Sequence, residues 1–279
     1  MIVDAHQHLW DPAVRDYPWM AGERAALRRR RGWEDLAELA RAAGVDATVA
    51  VQAAMSEDET RELLAAADEP RSPVVAVVGW VDLTAPDLAE RVATLRAARG
   101  GDRLAGIRHP AEDEPDPGWL AREDVLAGLR KLPDLALRYD LLVEPAHLAA
   151  ALTVVESVPD LALVVDHGAK PPIAVGGWEP WSSRLAELAA HERVHCKLSG
   201  LVTEAPWDSW RDAGIQRYAE RLLELFGPER LMFGSDWPVS TLAASYAEVL
   251  DLTRETLALV SESERAAVLG GTATRFYGL

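Results

Sequence analysis

The sequence predicts an α/β protein whose residues 1–279 form a single domain, a (β/α)8 TIM-like barrel. Eight short apolar segments alternate with longer amphipathic segments along the whole chain. The apolar segments are rich in Val, Leu, Ile and Ala without regular polar alternation, which is typical of parallel strands buried on both faces. Eight strand–helix repeats favour closure of the sheet into a barrel, and a doubly wound open sheet is the alternative.

The predicted strands are residues 2–8, 47–53, 74–81, 104–109, 135–143, 161–167, 194–199 and 231–236. The predicted helices are residues 33–43, 57–68, 86–98, 123–131, 145–158, 181–191, 214–226, 242–259 and 262–269. Gly44 ends the first helix, and Ser56 is the N-cap of the second, with Glu59 completing a capping box. Pro86 begins the third helix. The connections 11–32 and 202–212 are unusually long, so each is either a functional lid or irregular structure.

The composition limits the function classes. The net charge of −16 makes nucleic acid and anionic membranes unfavourable partners. Cys196 is the only cysteine, so the chain has no internal disulfide, which fits a reducing compartment. We find no signal peptide and no apolar stretch of membrane-spanning length, and we therefore expect a cytoplasmic protein. The partner we expect is a small molecule, and a homodimer stays open.

His6 and His8 stand two residues apart on the first predicted strand, so their side chains share one face. Two adjacent imidazoles are rarely needed in a packed core, because each buried ring nitrogen must find a partner. The pair is either a set of metal ligands or a polar grip on a substrate. Surface histidines, or histidines satisfied within the protein, are the alternative.

Polar residues also close other strands, at the end where barrel enzymes place their chemistry. His167 ends strand six and Asp236 ends strand eight. Together with His6 and His8 they form a predicted ligand set for one divalent ion, with Zn²⁺ as the first choice. Asp236 is the predicted general base for a water molecule. The alternatives are a helix-capping role for Asp236 and a core role for His167.

Strands four and five each present two polar neighbours, of which only one can face the barrel interior. We expect His109 to face inward and to act in catalysis. Arg108 either pairs with an acid in the wall or contacts the substrate. Tyr139 is a predicted substrate contact, although the sequence leaves open whether Tyr139 or Asp140 faces inward. Lys170 either contacts the substrate or is a solvated loop residue.

Several tryptophans lie in or beside the loops that would surround the mouth of the barrel. They are Trp10, Trp19, Trp178, Trp181, Trp207, Trp210 and Trp237. Indole rings stack on the apolar faces of sugar-like rings, and their N–H groups can donate to hydroxyls. We take Trp10, Trp19 and Trp237 as predicted substrate contacts. The tryptophans favour a cyclic, polyol-like substrate, with ordinary packing as the alternative for each residue.

These motifs resemble the amidohydrolase-related branch of the amidohydrolase superfamily. The resemblance rests on residues 4–10 (DAHQHLW), 106–109 (GIRH), 166–171 (DHGAKP), 196–200 (CKLSG) and 233–238 (FGSDWP). Within this branch the chain is most similar to sugar-lactone hydrolases of the L-fuconolactonase and L-rhamnonolactonase group. The resemblance implies a distorted barrel that hydrolyses a lactone, with His6, His8, His167 and Asp236 as metal ligands and His109 near the substrate.

The chain departs from the binuclear members of the superfamily. Those members place a bridging lysine or glutamate on strand four and a histidine on strand five, where this chain has Arg108-His109 and Tyr139-Asp140. We therefore expect one ion at most, or none, because some relatives in this branch hydrolyse lactones without a metal. Two alternatives stay open. One is a dicarboxylate-lactone hydrolase or decarboxylase of the same superfamily, and the other is a non-catalytic metal- or sugar-binding barrel.

Overall fold

The structure, a computed structural model, describes all residues from Met1 to Leu279. One sheet of eight parallel strands runs in the order β1 to β8. The strands are β1 Val3–Gln7, β2 Ala47–Val51, β3 Val74–Gly79, β4 Leu104–Pro110, β5 Arg138–Leu142, β6 Leu163–Val165, β7 Val194–Leu198 and β8 Leu231–Phe233. The predicted (β/α)8 barrel is confirmed, and the doubly wound alternative is wrong.

Helices connect successive strands and cover the outside of the barrel. They are α1 Trp33–Ala43, α2 Glu57–Ala67, α3 Leu88–Ala97, α4 Glu123–Leu129, α5 Leu148–Ser157, α6 Trp181–Ala189, α7 Leu201–Glu204, α8 Ile215–Phe226, α9 Tyr246–Thr256, α10 Glu262–Ala266 and α11 Thr272–Tyr277. The short helix α7 was not predicted and lies at the start of the long connection 202–212. Helix α9 begins four residues later than predicted, because Ser245 and Glu248 form a capping box at its start.

Glu59 does not complete the capping box predicted for α2. Ser56 Oγ does accept from the Glu59 backbone N–H at 3.3 Å, so the N-cap is confirmed. The Glu59 carboxylate instead accepts from the backbone N–H groups of Ala53 and Ala54, at 2.9 and 2.7 Å. The buried carboxylate of Glu59 therefore holds the loop that follows β2.

The barrel closes between β1 and the segment that follows β8. His8 N donates to Trp237 O at 2.7 Å, and Asp236 N donates to His6 O at 2.8 Å. Asp236 is therefore hydrogen-bonded to the strand that carries His6 and leads directly into His8, although 230 positions of sequence separate it from His6.

The C-terminal helix α11 closes the opposite end of the barrel. Phe276 and Tyr277 pack with Val3 and Val49 in an apolar cluster. Arg138, the first residue of β5, donates from Nε to the Phe276 carbonyl at 2.7 Å. The amino ends of the strands are thus covered, and the accessible mouth lies at their carboxyl ends. None of the helices is long and apolar enough to cross a membrane.

Candidate active site

His6 of β1 and His8, which directly follows β1, meet one aspartate and one further histidine at the mouth of the barrel. His6 Nε2 lies 3.2 Å from His8 Nε2. Asp236 Oδ1 lies 3.4 Å from His8 Nε2 and 3.9 Å from both His6 Nε2 and His167 Nε2. All four residues are buried. The structure brings together the four residues that were predicted as metal ligands.

Hydrogen bonds to the outer ring nitrogens orient these imidazoles. His8 Nδ1 lies 2.8 Å from the Val51 carbonyl oxygen, which can only accept a hydrogen bond. Nδ1 of His8 therefore carries a hydrogen, and Nε2 faces His6 and Asp236. His167 Nδ1 lies 2.9 Å from Ser199 Oγ. Outer partners of this kind fix the orientation of imidazoles that bind metals.

The donor set fits one divalent ion. One ligand atom from each of His6, His167 and Asp236 lies within 4.8 Å of the other two, and no other such group occurs in the chain. With His8, the set offers three nitrogen donors and one oxygen donor, which suits Zn²⁺. Arg108 Nη1 lies 3.3 Å from His6 Nε2. His6 Nε2 therefore faces this guanidinium as well as the other donor atoms of the set.

A buried network of four charges supports His6. Lys197 Nζ lies 3.1 Å from His6 Nδ1 and 3.0 Å from Asp166 Oδ1, and it also pairs with Asp140. Arg108 Nη1 lies 3.0 Å from Asp166 Oδ2. Two cations therefore balance two carboxylates in a region with almost no solvent exposure. Removing one member would leave an uncompensated buried charge.

Burial determines the protonation states at the site. It lowers the pKa of His167 to about 4 and the pKa of His6 well below its ordinary value, so both rings are neutral at pH 7. Burial alone would raise the pKa of Asp236, but His167 and a hydrogen bond with His8 lower it below its ordinary value. Asp236 is therefore an ionised carboxylate that can accept a proton.

Two segments of the site have left-handed backbone conformations. His167, Gly168, Ala169 and Lys170 have φ values of 54°, 57°, 59° and 49°, and Asp236 has a φ of 55°. This conformation costs a non-glycine residue about 1–2 kcal/mol. Such strain persists where the surrounding structure enforces it, and it concentrates at functional sites. The turn brings His167 and Lys170 to the same cavity.

The expectation that His109 faces the barrel interior is wrong. His109 Nδ1 accepts from Trp80 Nε1 at 3.2 Å, and His109 Nε2 lies 2.9 Å from Glu114 Oε1. Its ring stacks on Trp119, with centroids 3.9 Å apart. Arg108 is the residue of this pair that lines the cavity. Neighbouring side chains of β4 point to opposite faces, as expected, but Arg108 rather than His109 points toward the cavity.

Asp140, rather than Tyr139, faces the barrel interior. Asp140 pairs with Lys197 of β7, whereas Tyr139 packs in the main apolar core and does not line the cavity. The predicted substrate contact through Tyr139 is therefore wrong. Leu142 of the same strand faces the cavity.

Of the three tryptophans predicted to contact the substrate, the structure places one on the cavity wall. Trp19 lines the cavity, and its Nε1 donates to the Ala53 carbonyl at 2.8 Å. Trp10 and Trp237 are buried beside the site but do not line the cavity. Trp10 Nε1 instead donates to backbone carbonyls of the long connection after β1. Trp207, which was not assigned to the substrate, lines the cavity.

A cavity of about 720 Å³ opens above the histidines. The functional groups on its wall include His8, Arg108, Glu112, His167, Lys170, Glu204 and Asp236. Glu112 and Glu204 were missed, although both stand in connections that follow predicted strands. Lys197 was also missed, although it is one of only three lysines and has the strand parity of Ser199.

An eight-stranded parallel barrel with imidazoles and an ionised carboxylate at its mouth has the arrangement of an enzyme active site, in which the carboxylate can accept a proton. The chain belongs to the amidohydrolase family, whose model matches residues 3–279. It is 42% identical to an L-fucono-1,5-lactonase of Burkholderia multivorans over 289 aligned positions, covering 99% of this chain and 96% of that protein. A Burkholderia ambifaria L-fucono-1,5-lactonase is 40% identical, covering 99% and 94%.

A solved structure has the same fold and a bound metal. An amidohydrolase of Burkholderia multivorans with bound zinc is 40% identical and superposes with a TM-score of 0.91, over 100% of this chain and 99% of that one. The same amidohydrolase with bound HEPES gives a TM-score of 0.93 with the same coverage.

Proposed function

We propose that the protein hydrolyses the ring ester of a sugar-derived lactone, with L-fucono-1,5-lactone as the first substrate to test. The observation that carries this proposal is the ionised Asp236 carboxylate, which lies beside the imidazoles of His6, His8 and His167 at the mouth of a barrel whose other end is covered. The similarity to two L-fucono-1,5-lactonases over nearly the whole chain supports the same activity.

In the proposed reaction, Asp236 takes a proton from a water molecule as the water oxygen attacks the lactone carbonyl. The carbonyl carbon becomes tetrahedral, and its oxygen becomes negative. Arg108 is the cavity-lining cation nearest to the histidines, and its Nε–H has no hydrogen-bond partner within the protein. This guanidinium stabilises the negative oxygen.

Ring opening completes the reaction. The bond between the carbonyl carbon and the ring oxygen breaks, and the ring oxygen takes the proton held by Asp236. The product is an open-chain hydroxy acid, and its carboxyl group ionises in solvent. Asp236 returns to its carboxylate form, so no other reactant is consumed.

One divalent ion, with Zn²⁺ as the first candidate, fits the donor atoms of His6, His8, His167 and Asp236. A bound ion supplies positive charge at the carbonyl oxygen and acidifies water. The zinc-containing structure of the 40% identical amidohydrolase supports this assignment. Elemental analysis of purified protein, followed by activity with and without a chelator, tests both occupancy and need.

Hydrolysis of a dicarboxylate lactone is the weaker alternative. Such a substrate needs several unpaired cations, but Arg108 pairs with Asp166, Lys170 with Glu112, and Arg15 with Glu62. Arg24 is the one cation of the cavity wall without an ion pair, and it is exposed. Solved structures described as 2-pyrone-4,6-dicarboxylic acid hydrolases are 17–22% identical to this chain. Identities this low show a shared fold and not a shared substrate.

The test is a rate comparison on a lactone panel. Purified protein is assayed by pH-stat on L-fucono-1,5-lactone, further 1,4- and 1,5-aldonolactones and a dicarboxylate lactone. The rate without enzyme is subtracted because 1,5-lactones open spontaneously. We expect saturable hydrolysis of neutral sugar lactones. Preference for the dicarboxylate lactone, or binding of sugar lactones without turnover, would contradict the proposal.

A further inference from the structure

Three charged side chains from separate connections share one cavity wall. Glu112 follows β4, Lys170 follows β6 and Glu204 ends α7, and all three line the cavity. Lys170 Nζ forms an ion pair with Glu112, and both side chains are mostly buried. We refer to these residues as the Glu112–Lys170–Glu204 cluster.

Glu204 has no partner of its own within the protein. It makes no ion pair at 4 Å or less, although Lys170 is close enough to affect it electrostatically. Burial raises the pKa of Glu204 to about 7, and Glu112, Glu144 and Asp236 add to this effect. Glu204 is half-buried, and its oxygens are open to the cavity, where water can take the place of a protein partner. A ligand hydroxyl in the cavity can replace that water.

The charges in the cluster select the type of ligand. One ammonium group faces two carboxyl groups, so the cluster offers more hydrogen-bond acceptors than positive charge. Burial alone would raise the pKa of Glu112, but Lys170 lowers it below its ordinary value, so Glu112 is ionised. A ligand hydroxyl can donate to the Glu112 carboxylate and can share a hydrogen bond with Glu204 in either of its protonation states, whereas a ligand carboxylate beside the ionised Glu112 would be repelled.

From this arrangement we infer that the Glu112–Lys170–Glu204 cluster is a subsite that binds the ring hydroxyls of a neutral, polyhydroxylated lactone. Glu112 and Glu204 accept from adjacent hydroxyls, and Lys170 donates to a hydroxyl oxygen. Trp19 and Trp207 line the same cavity and offer indole faces to the apolar side of the sugar ring. This inference rests on the proposed function and specifies which part of the substrate the site recognises.

The first test compares a sugar lactone with a lactone that lacks hydroxyls. For the wild type and for Glu112→Gln, Glu204→Gln and Lys170→Met, kcat and KM are measured on L-fucono-1,5-lactone and on δ-valerolactone. We expect the ratio of the two kcat/KM values to fall roughly 10- to 100-fold in each variant, the range for a lost hydrogen bond to a charged group. Most of this change should come from a higher KM for the sugar lactone.

Matched controls come from exposed residues far from the cavity. Glu156→Gln and Lys131→Met remove the same charges outside the cavity lining and should leave the ratio at its wild-type value. Equal losses on both lactones in the cluster variants, or no change in the ratio, would overturn the inference. Thermal unfolding of each variant identifies any that fails to fold, and Glu204→Asp then replaces that variant.

A binding measurement separates this inference from the proposed function. Calorimetry with the lactam analogue of L-fucono-1,5-lactone, and with δ-valerolactam as its counterpart without hydroxyls, requires no turnover. We expect the sugar lactam to bind the wild type at least tenfold more tightly than it binds Glu204→Gln. If wild-type protein hydrolyses no lactone yet shows this difference, the hydrolytic function fails and the subsite stands. If the sugar lactam binds both proteins equally, the subsite is refuted.

Discussion

Asp236 is hydrogen-bonded to His6 through the backbone, and its side chain lies close to the His6 ring. Asp236 N donates to the His6 carbonyl at 2.8 Å, while Asp236 Oδ1 lies 3.9 Å from His6 Nε2. The same contact helps to close the barrel between its first and last strands. The position of the carboxylate relative to the histidines is therefore built into the closure of the sheet, which is the kind of support that precise catalytic geometry needs.

Replacement of Asp236 by Asn should lower kcat by several orders of magnitude, because an amide cannot accept the proton from water. We expect KM to change far less, since the amide keeps the size of the side chain. Asp251→Asn, an exposed residue of α9, is the matched control and should keep wild-type kinetics. A kcat within tenfold of the wild type in Asp236→Asn would exclude Asp236 as the base.

Replacement of His109 by Gln should change kcat/KM by less than about threefold. His109 contacts Trp80, Glu114 and Trp119 outside the cavity, so its loss affects packing and hydrogen bonding rather than the substrate. We expect the free energy of unfolding to fall by about 1–2 kcal/mol, as for other buried polar substitutions. Steady-state kinetics and urea unfolding check the two parts. A large loss of kcat with unchanged stability would restore His109 as a catalytic residue.

Replacement of Lys197 by Met should lower the free energy of unfolding by about 3–5 kcal/mol, because Asp140 and Asp166 lose their shared buried cation. Adding Asp140→Asn to this variant should recover part of the loss, since it removes one uncompensated charge. Urea unfolding of both variants provides the measurement. Lys131→Met, at an exposed lysine, should stay within about 0.5 kcal/mol of the wild type. A similarly small effect at Lys197 would show that the buried network is not energetically coupled.

Stability should fall as the pH rises from 4.5 to 7, in part because of Glu59. Burial raises the pKa of Glu59 from 4.5 to about 7, so the folded state binds this proton more tightly than the unfolded state does. The contribution is fully present below pH 4.5 and is lost as the pH rises through 7. The difference between these two pKa values corresponds to a contribution of about 3 kcal/mol to the free energy of unfolding.

Glu59→Gln isolates this contribution. The amide oxygen can still accept from Ala53 and Ala54, but the side chain no longer titrates. Unfolding free energies at pH 5 and pH 8 should therefore differ less in the variant than in the wild type. An identical difference in both proteins would rule out a raised pKa at Glu59.

Much of the fold, and the convergence of His6, His8, His167 and Asp236, could be predicted because both depend on local patterns. The eight strands are recognisable as short, continuously apolar segments, and the spacing of His6 and His8 places them on one face. Local patterns do not show which of two neighbouring polar residues on a strand faces the barrel interior. Arg108 and His109 have no local feature that fixes which one faces inward, and the phase is decided by the neighbouring strands.

Cavity residues on the connections were also beyond local prediction. Glu112 and Glu204 become neighbours of Lys170 only because the barrel brings the carboxyl ends of β4, β6 and β7 to one mouth. Trp10 and Trp237 stand beside motif residues in the sequence, yet the closure of the barrel buries them behind the site. Position at the end of a strand therefore predicted the histidine and aspartate placement, whereas proximity to a motif in the sequence did not predict the residues of the cavity wall.

By itself, the sequence determined the number and order of the strands, the barrel class and the residues His6, His8, His167 and Asp236, because apolar periodicity and strand-end position are properties of short segments. The tertiary structure alone decided that Arg108 faces inward, that Lys197 supports His6 and that Glu112, Lys170 and Glu204 form one wall. These contacts join residues distant in the chain, and their geometry depends on strand stagger, barrel closure and left-handed turns that no local pattern encodes.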